Sequence, residues 1–100
     1  MTPTAVADTL AALSVAASSS GASSGTWRPT QGPALVSENP ATGAPLGRVA
    51  QATADDYEAV VAAAEAAFAT WRMVPAPKRG EVVRQLGEEL RARKEELSRL

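Results

Sequence analysis

Between Trp27 and Gln51 the chain carries Pro29, Gly32, Pro33, Pro40, Gly43, Pro45 and Gly47, and no helix can run through that spacing. Proline lacks the amide that a helix interior needs, and glycine loses the most freedom when held in one. Two short extended runs survive, Ala34 to Glu38 and Leu46 to Gln51, each of ordinary strand length. The stretch between them, Asn39-Pro40-Ala41-Thr42-Gly43, is turn chemistry. Pro40 presets one dihedral, Asn39 can bond its own downstream backbone, and Gly43 tolerates a positive φ. The segment is predicted to fold as a hairpin over about 34–51, with a loop longer than the tightest turns. A lone hairpin is marginal in water, so it needs more sheet or helices beneath it.

Helical periodicity takes over after the hairpin. Thr53 is a good N-cap, and Asp55 and Asp56 follow where the free amides and dipole of a first turn favour carboxylates. A helix is predicted over about 54–70. Tyr57, Val60, Val61, Ala64, Phe68 and Trp71 recur at three- and four-residue steps and Glu58 and Glu65 point elsewhere, the pattern of an amphipathic helix packed on one side. Val74-Pro75-Ala76-Pro77 stops it, and Pro77 can open the next helix. Helices are predicted over about 77–100, with a seam of Val83, Leu86, Leu90, Leu97 and Leu100. The seam lapses near Arg93, beside Arg91 and Lys94, so the helix should break after Ala92. Gly87 costs about 1 kcal/mol against alanine in such a helix, which suggests either close approach of another backbone, slightly favoured, or simple tolerance.

Ahead of the hairpin, residues 1–17 read as a short helix from Thr4 to Ala17, with Val6, Leu10, Leu13 and Ala17 on one face and Asp8 near its start. Residues 18–26 read as a flexible connector, because Ser18-Ser19-Ser20-Gly21-Ala22-Ser23-Ser24-Gly25 offers no side chain large enough to anchor it.

Composition limits what these elements can enclose. Of the 45% hydrophobic residues much is alanine, isoleucine is absent and Phe68 is the single phenylalanine. The apolar seams therefore have little within the chain to pack against, as expected of part of a larger protein. Ten basic against eleven acidic residues leave a net charge of -1, which favours neither nucleic acid nor an anionic membrane as partner. With no cysteine and no histidine, thiolate nucleophiles, imidazole bases and the commonest metal ligands are excluded within these residues. Met1 to Asp8 has no basic region and carries an acid, and no apolar run approaches the roughly 20 residues of a membrane span. A cytoplasmic protein is expected.

Several groups imitate chemistry. Glu88, Glu89, Glu95 and Glu96 each lie within about a turn of Arg91, Arg93, Lys94 or Arg99, which describes a solvated, self-paired face more than an acid–base site. Lys78, Arg79 and Arg84 sit at a helix start that could attract an anion, but no glycine-rich loop precedes them. Gly43-Ala44-Pro45-Leu46-Gly47 is no dinucleotide fingerprint, since proline interrupts it and a strand follows. Trp27 and Trp71 read as packing anchors. The residues thus yield no catalytic, cofactor-binding or metal-binding position.

Taken in order, Asn39-Pro40-Ala41-Thr42-Gly43, Gly47-Arg48-Val49-Ala50 and the Thr-capped helix ending Phe68-Ala69-Thr70-Trp71 resemble the beginning of the aldehyde dehydrogenase superfamily. The run from Trp71 to Gly87, above all Pro75-Ala76-Pro77-Lys78-Arg79-Gly80-Glu81, is most similar to its antiquitin branch. Gly25-Thr26-Trp27 and Ala54-Asp55-Asp56-Tyr57-Glu58 are in keeping with that branch, whereas the small-residue run from Ser18 to Ser24 departs from it. The resemblance covers Trp27 to Leu100.

That resemblance implies an α/β fold, with these residues as the amino-terminal hairpin and helices of a Rossmann-like cofactor-binding domain only partly present here. It implies an NAD-dependent oxidoreductase that oxidises α-aminoadipic semialdehyde, in equilibrium with piperideine-6-carboxylate, as in lysine metabolism. A catalytic cysteine would attack the aldehyde, hydride would pass to NAD, and a glutamate would activate water, all from residues beyond Leu100. A dimer or tetramer is the family's usual assembly. The rival reading is a free-standing helical interaction module that pairs through Val83, Leu86, Leu90, Leu97 and Leu100.

Overall fold

The computed structural model describes residues 3–100; Met1 and Thr2, the head of the unit read as 1–17, lie outside the described residues. The fold is mixed α/β. Its elements are α1 (Pro3–Ala12), β1 (Ser18–Ser20), β2 (Ala34–Glu38), β3 (Pro45–Ala50), α2 (Ala54–Trp71), α3 (Ala76–Ala92) and α4 (Lys94–Arg99). The strands form one sheet in the order β1-β3-β2. β3 is central, antiparallel to β2 and parallel to β1.

Turn and register follow the residue types closely in the hairpin. Leu35 faces Val49 and Val36 faces Arg48, and a register shift between Ser37 and Glu38 takes up the transition into the loop. Asn39 organises that loop, accepting the Ala41 amide on Oδ1 at 2.9 Å and the Gly43 amide on its carbonyl at 2.7 Å. Gly43 has a φ of 71°, the left-handed region in which only glycine is free of Cβ crowding.

The first helix ends at Ala12, five residues short of the expected Ala17. Ser14 takes a φ of 60°, its amide reaches the Ala11 carbonyl at 2.9 Å, and the Val15 amide reaches Leu10 at 2.8 Å. That double closure is a Schellman stop, usually built on glycine, and the periodicity of Val6, Leu10 and Leu13 gave no hint of it.

Ser18–Ser20 is a strand and not a flexible connector. Serine hydroxyls and bare glycine backbone do the anchoring that large side chains were expected to do. The Arg48 amide reaches Ala17 at 2.9 Å and the Gly21 amide reaches Ala50 at 2.9 Å, holding both ends of β1 to β3. Ser20 Oγ donates to the Arg28 carbonyl, and Thr30 Oγ1 donates to Ala50 at 2.5 Å. The Gly32 amide adds a bond to Gln51 at 3.0 Å. A Cβ on Gly21 would stand 2.7 Å from the Ala50 oxygen, so the close approach itself requires glycine.

Helix α2 starts with Thr53 as N-cap and ends at Trp71, and the prolines after it give α3 its first turn. Arg93, at φ -102° and ψ 15°, separates α3 from α4 where the seam lapses. No helix or strand among the described residues packs against α2, contrary to the one-sided packing its stripe predicts. Nor does anything approach Gly87, where an added Cβ would meet no atom within 4 Å.

The residues that would form a core face outward. Among the described residues no hydrophobic side chain is buried, and the two buried residues are Thr9 and Asp56. The accessible surface is 7753 Å², where a compact monomer of this mass exposes roughly 5,400 Å². The radius of gyration is 16.9 Å, against about 13 Å for a compact domain of equal length. The excess is some 2,000 Å² or more, on the order of a permanent interface.

Candidate functional site

The most ordered polar cluster lies where α2 begins. Thr53 Oγ1 accepts the Asp56 amide at 3.3 Å, and the Thr53 amide donates to Asp56 Oδ2 at 2.9 Å. The pair satisfies two of the amides a helix start leaves open. Arg28, from the segment ahead of β2, brings its guanidinium to 3.8 Å from Asp56 Oδ1. The Thr53 amide chiefly holds the Asp56 carboxyl below its ordinary value; burial opposes this, and the Thr53 hydroxyl and Arg28 assist. Every acceptor on Asp56 is turned toward structural donors, so the cluster is a joint between hairpin and helix. Sequence reading found Thr53 and Asp56 but missed Arg28, whose partner lies far along the chain.

The acidic and basic residues of α3 and α4 pair locally. Arg91 meets Glu88 at 2.8 Å, Arg93 meets Glu89 at 3.3 Å and Arg99 meets Glu95 at 4.0 Å. Arg84 grips Glu81 through two bonds of 2.9 and 2.7 Å, which lowers the Glu81 pKa and raises that of Arg84. Arg84, one of the three basic residues read at the start of that helix, is thus committed to Glu81. Among the described residues no three His, Cys, Asp or Glu side chains gather as a metal would require, and no helix is long and apolar enough to cross a membrane.

What the chain presents instead is apolar surface. Tyr57, Val61, Phe68 and Trp71 lie exposed along α2, and Val82, Val83, Leu86 and Leu90 along α3. Trp27 and Trp71 anchor no packing within the described residues, being 73% and 43% exposed, because the surfaces that would receive them are not among these residues. Exposed apolar faces on two successive helices can do no bond-making chemistry; they can dock.

Residues 27–100 match the model of the aldehyde dehydrogenase family. Aldehyde dehydrogenase family 7 member A1 of Pisum sativum is 50% identical over 76 residues, 76% of this chain and 15% of that protein. The alpha-aminoadipic semialdehyde dehydrogenase of Bos taurus is 46% identical over 71 residues, 71% of this chain and 13% of that protein. Its counterpart in Rattus norvegicus is 40% identical over 80 residues, 80% of this chain and 15% of that protein. The chain spans about 15% of the length of the curated relatives it matches.

Proposed function

The chain belongs to the aldehyde dehydrogenase family, and from that premise we propose that it is a structural, amino-terminal part of an enzyme oxidising an aldehyde to a carboxylic acid. NAD would take the hydride, and α-aminoadipic semialdehyde, with its cyclic form piperideine-6-carboxylate, would be the substrate. Lysine metabolism is the corresponding setting, in a cytoplasmic dimer or tetramer. Residues 27–100 would form the hairpin and outer helices of a Rossmann-like cofactor-binding domain.

One observation carries the reading: the family match covers the hairpin and the two long helices whose apolar faces lie open. Those faces fit a scaffold that rests on further polypeptide. The relatives named for alpha-aminoadipic semialdehyde support the substrate. No Cys is present to attack an aldehyde, so the nucleophile would come from other residues of the parent.

The interaction-module reading needs a continuous free seam. Val83, Leu86, Leu90, Leu97 and Leu100 are exposed, but Arg93 breaks the helix between Leu90 and Leu97, so the seam is not continuous.

The test is the intact subunit mass in the native source, set against the 10.3 kDa of this chain, followed by NADH formation with α-aminoadipic semialdehyde. A mass several-fold larger with substrate-dependent NADH is expected. A mass near 10.3 kDa overturns the reading, and a large subunit inert toward this aldehyde overturns the substrate.

A further inference from the structure

The four carbonyls at the end of α1 can be accounted for one by one. Thr9 accepts the Leu13 amide at 3.1 Å, Leu10 accepts Val15, and Ala11 accepts Ser14. The fourth, Ala12, is met from across the fold by Arg93, whose Nη1 donates at 3.3 Å. The last turn of α1 holds no basic residue of its own, and a cation is what the negative end of a helix favours. Arg93 is also the residue at which α3 stops and α4 begins. Its side chain therefore reaches α1 from the elbow between two helices.

We propose that α1 is a detachable strap closed over the α3–α4 elbow, with Arg93 as its latch, while β1 stays stitched to β3 when the strap opens. The two attachments differ in kind. β1 is held by a ladder pairing Ser18, Ser19 and Ser20 with Arg48, Val49 and Ala50, reinforced by the Gly21 and Thr30 bonds to Ala50. α1 is held by the exposed Arg93 bond, by partly exposed apolar contacts, with Val6 and Leu10 toward Leu46, Val49 and Leu100, and by packing on α4 that buries Thr9, with no strand ladder. A helix of 10 residues is marginal in water once undocked, so release and melting of α1 are one event. Between the attachments, residues 13–17 supply the hinge, with Ser14 already in the left-handed region. Opening removes Leu13 and Ser14 from the cavity they line with the already exposed Leu86, Leu90 and Leu97.

Glu89 accepts from Arg93 Nε at 3.3 Å, from the preceding turn, while Nη1 serves Ala12, and so steadies the latch. Lysine at 93 keeps the charge but loses the forked geometry that serves Glu89 and Ala12 together.

Hydrogen exchange on the intact polypeptide from its source tests the strap. In Arg93→Ala the Leu13, Ser14 and Val15 amides are expected to exchange roughly fivefold faster. The Gly21 and Arg48 amides, which fasten β1, are expected to stay at their original rates, and Arg93→Lys should fall between. Leu10→Ser, which leaves α3 and α4 untouched, should open the same three amides and spare the same two. Unchanged exchange at 13–15 in both variants overturns the proposal. So does a matching rise at Gly21 and Arg48, which would make α1 and β1 a single unit.

Discussion

Thr53 and Asp56 cap each other: the threonine hydroxyl takes the aspartate amide, and the aspartate carboxylate takes the threonine amide. Thr53→Ala removes one half of that exchange and is expected to cost about 1 kcal/mol, read as a lower denaturation midpoint of the parent protein. Thr53→Ser should leave the midpoint within a few tenths of that of the unmodified protein, since serine caps as well as threonine.

Acid should undo the same joint. The Asp56 and Glu81 carboxyls both lie below their ordinary values in the fold, so the unfolded chain takes up their protons first as pH falls. Their stabilisation is full above roughly pH 5 and drains as pH falls through their folded values. Acid titration of helical signal should show this loss below about pH 4. Asp56→Asn should flatten that acid limb; an unchanged limb would show that Asp56 is not linked to folding.

Gly21→Ala and Gly32→Ala should each destabilise by about 2 kcal/mol, because the new methyl would press on the Ala50 and Gln51 carbonyls respectively. Gly80→Ala, with open space around it, is the control. Equal effects at all three positions in thermal melts would mean the lacing of β1 and residue 32 onto β3 does not bear load.

Ser14→Gly is expected to stabilise by about 1 kcal/mol, since the φ of 60° crowds the serine Cβ and leaves glycine free. Slower exchange of the Leu13 and Val15 amides would report it.

Phe68 separates the scaffold reading from an autonomous chain. It is 58% exposed here, so Phe68→Ala in the isolated 100-residue chain should change helix stability by less than about 0.5 kcal/mol. If the parent covers α2, the same change there should cost about 3 kcal/mol or more. Equal small effects in both settings would leave the α2 face without a docking role.

The sequence was most legible where single residues dictate backbone geometry. Thr53 announces α2, Asn39 and Gly43 announce the loop, and the gap in the leucine seam announces the break at Arg93. It was least legible where geometry depends on residues far apart. Nothing local distinguishes Ser18–Ser20 from a linker, because its strand character comes from β3. Likewise the Ser14 stop wins over a helical pattern that continues to Ala17, and Arg28 gains its role only when Asp56 is brought near. The tryptophans failed in the opposite direction: their burial was anticipated from type, whereas the surfaces to bury them are not among these residues.

The parallel pairing of β1 with β3 also bears on when each strand can form. β2 and β3 are joined by a short loop and can close as a hairpin within microseconds. β1 precedes them in the chain yet has no edge to join until β3 is placed. During synthesis the serines therefore emerge before their template exists. An apolar strand left waiting would invite association with other chains. A run of Ser18, Ser19 and Ser20 can wait in water at little risk, so the residues that hide the strand from a sequence reader also protect it before assembly.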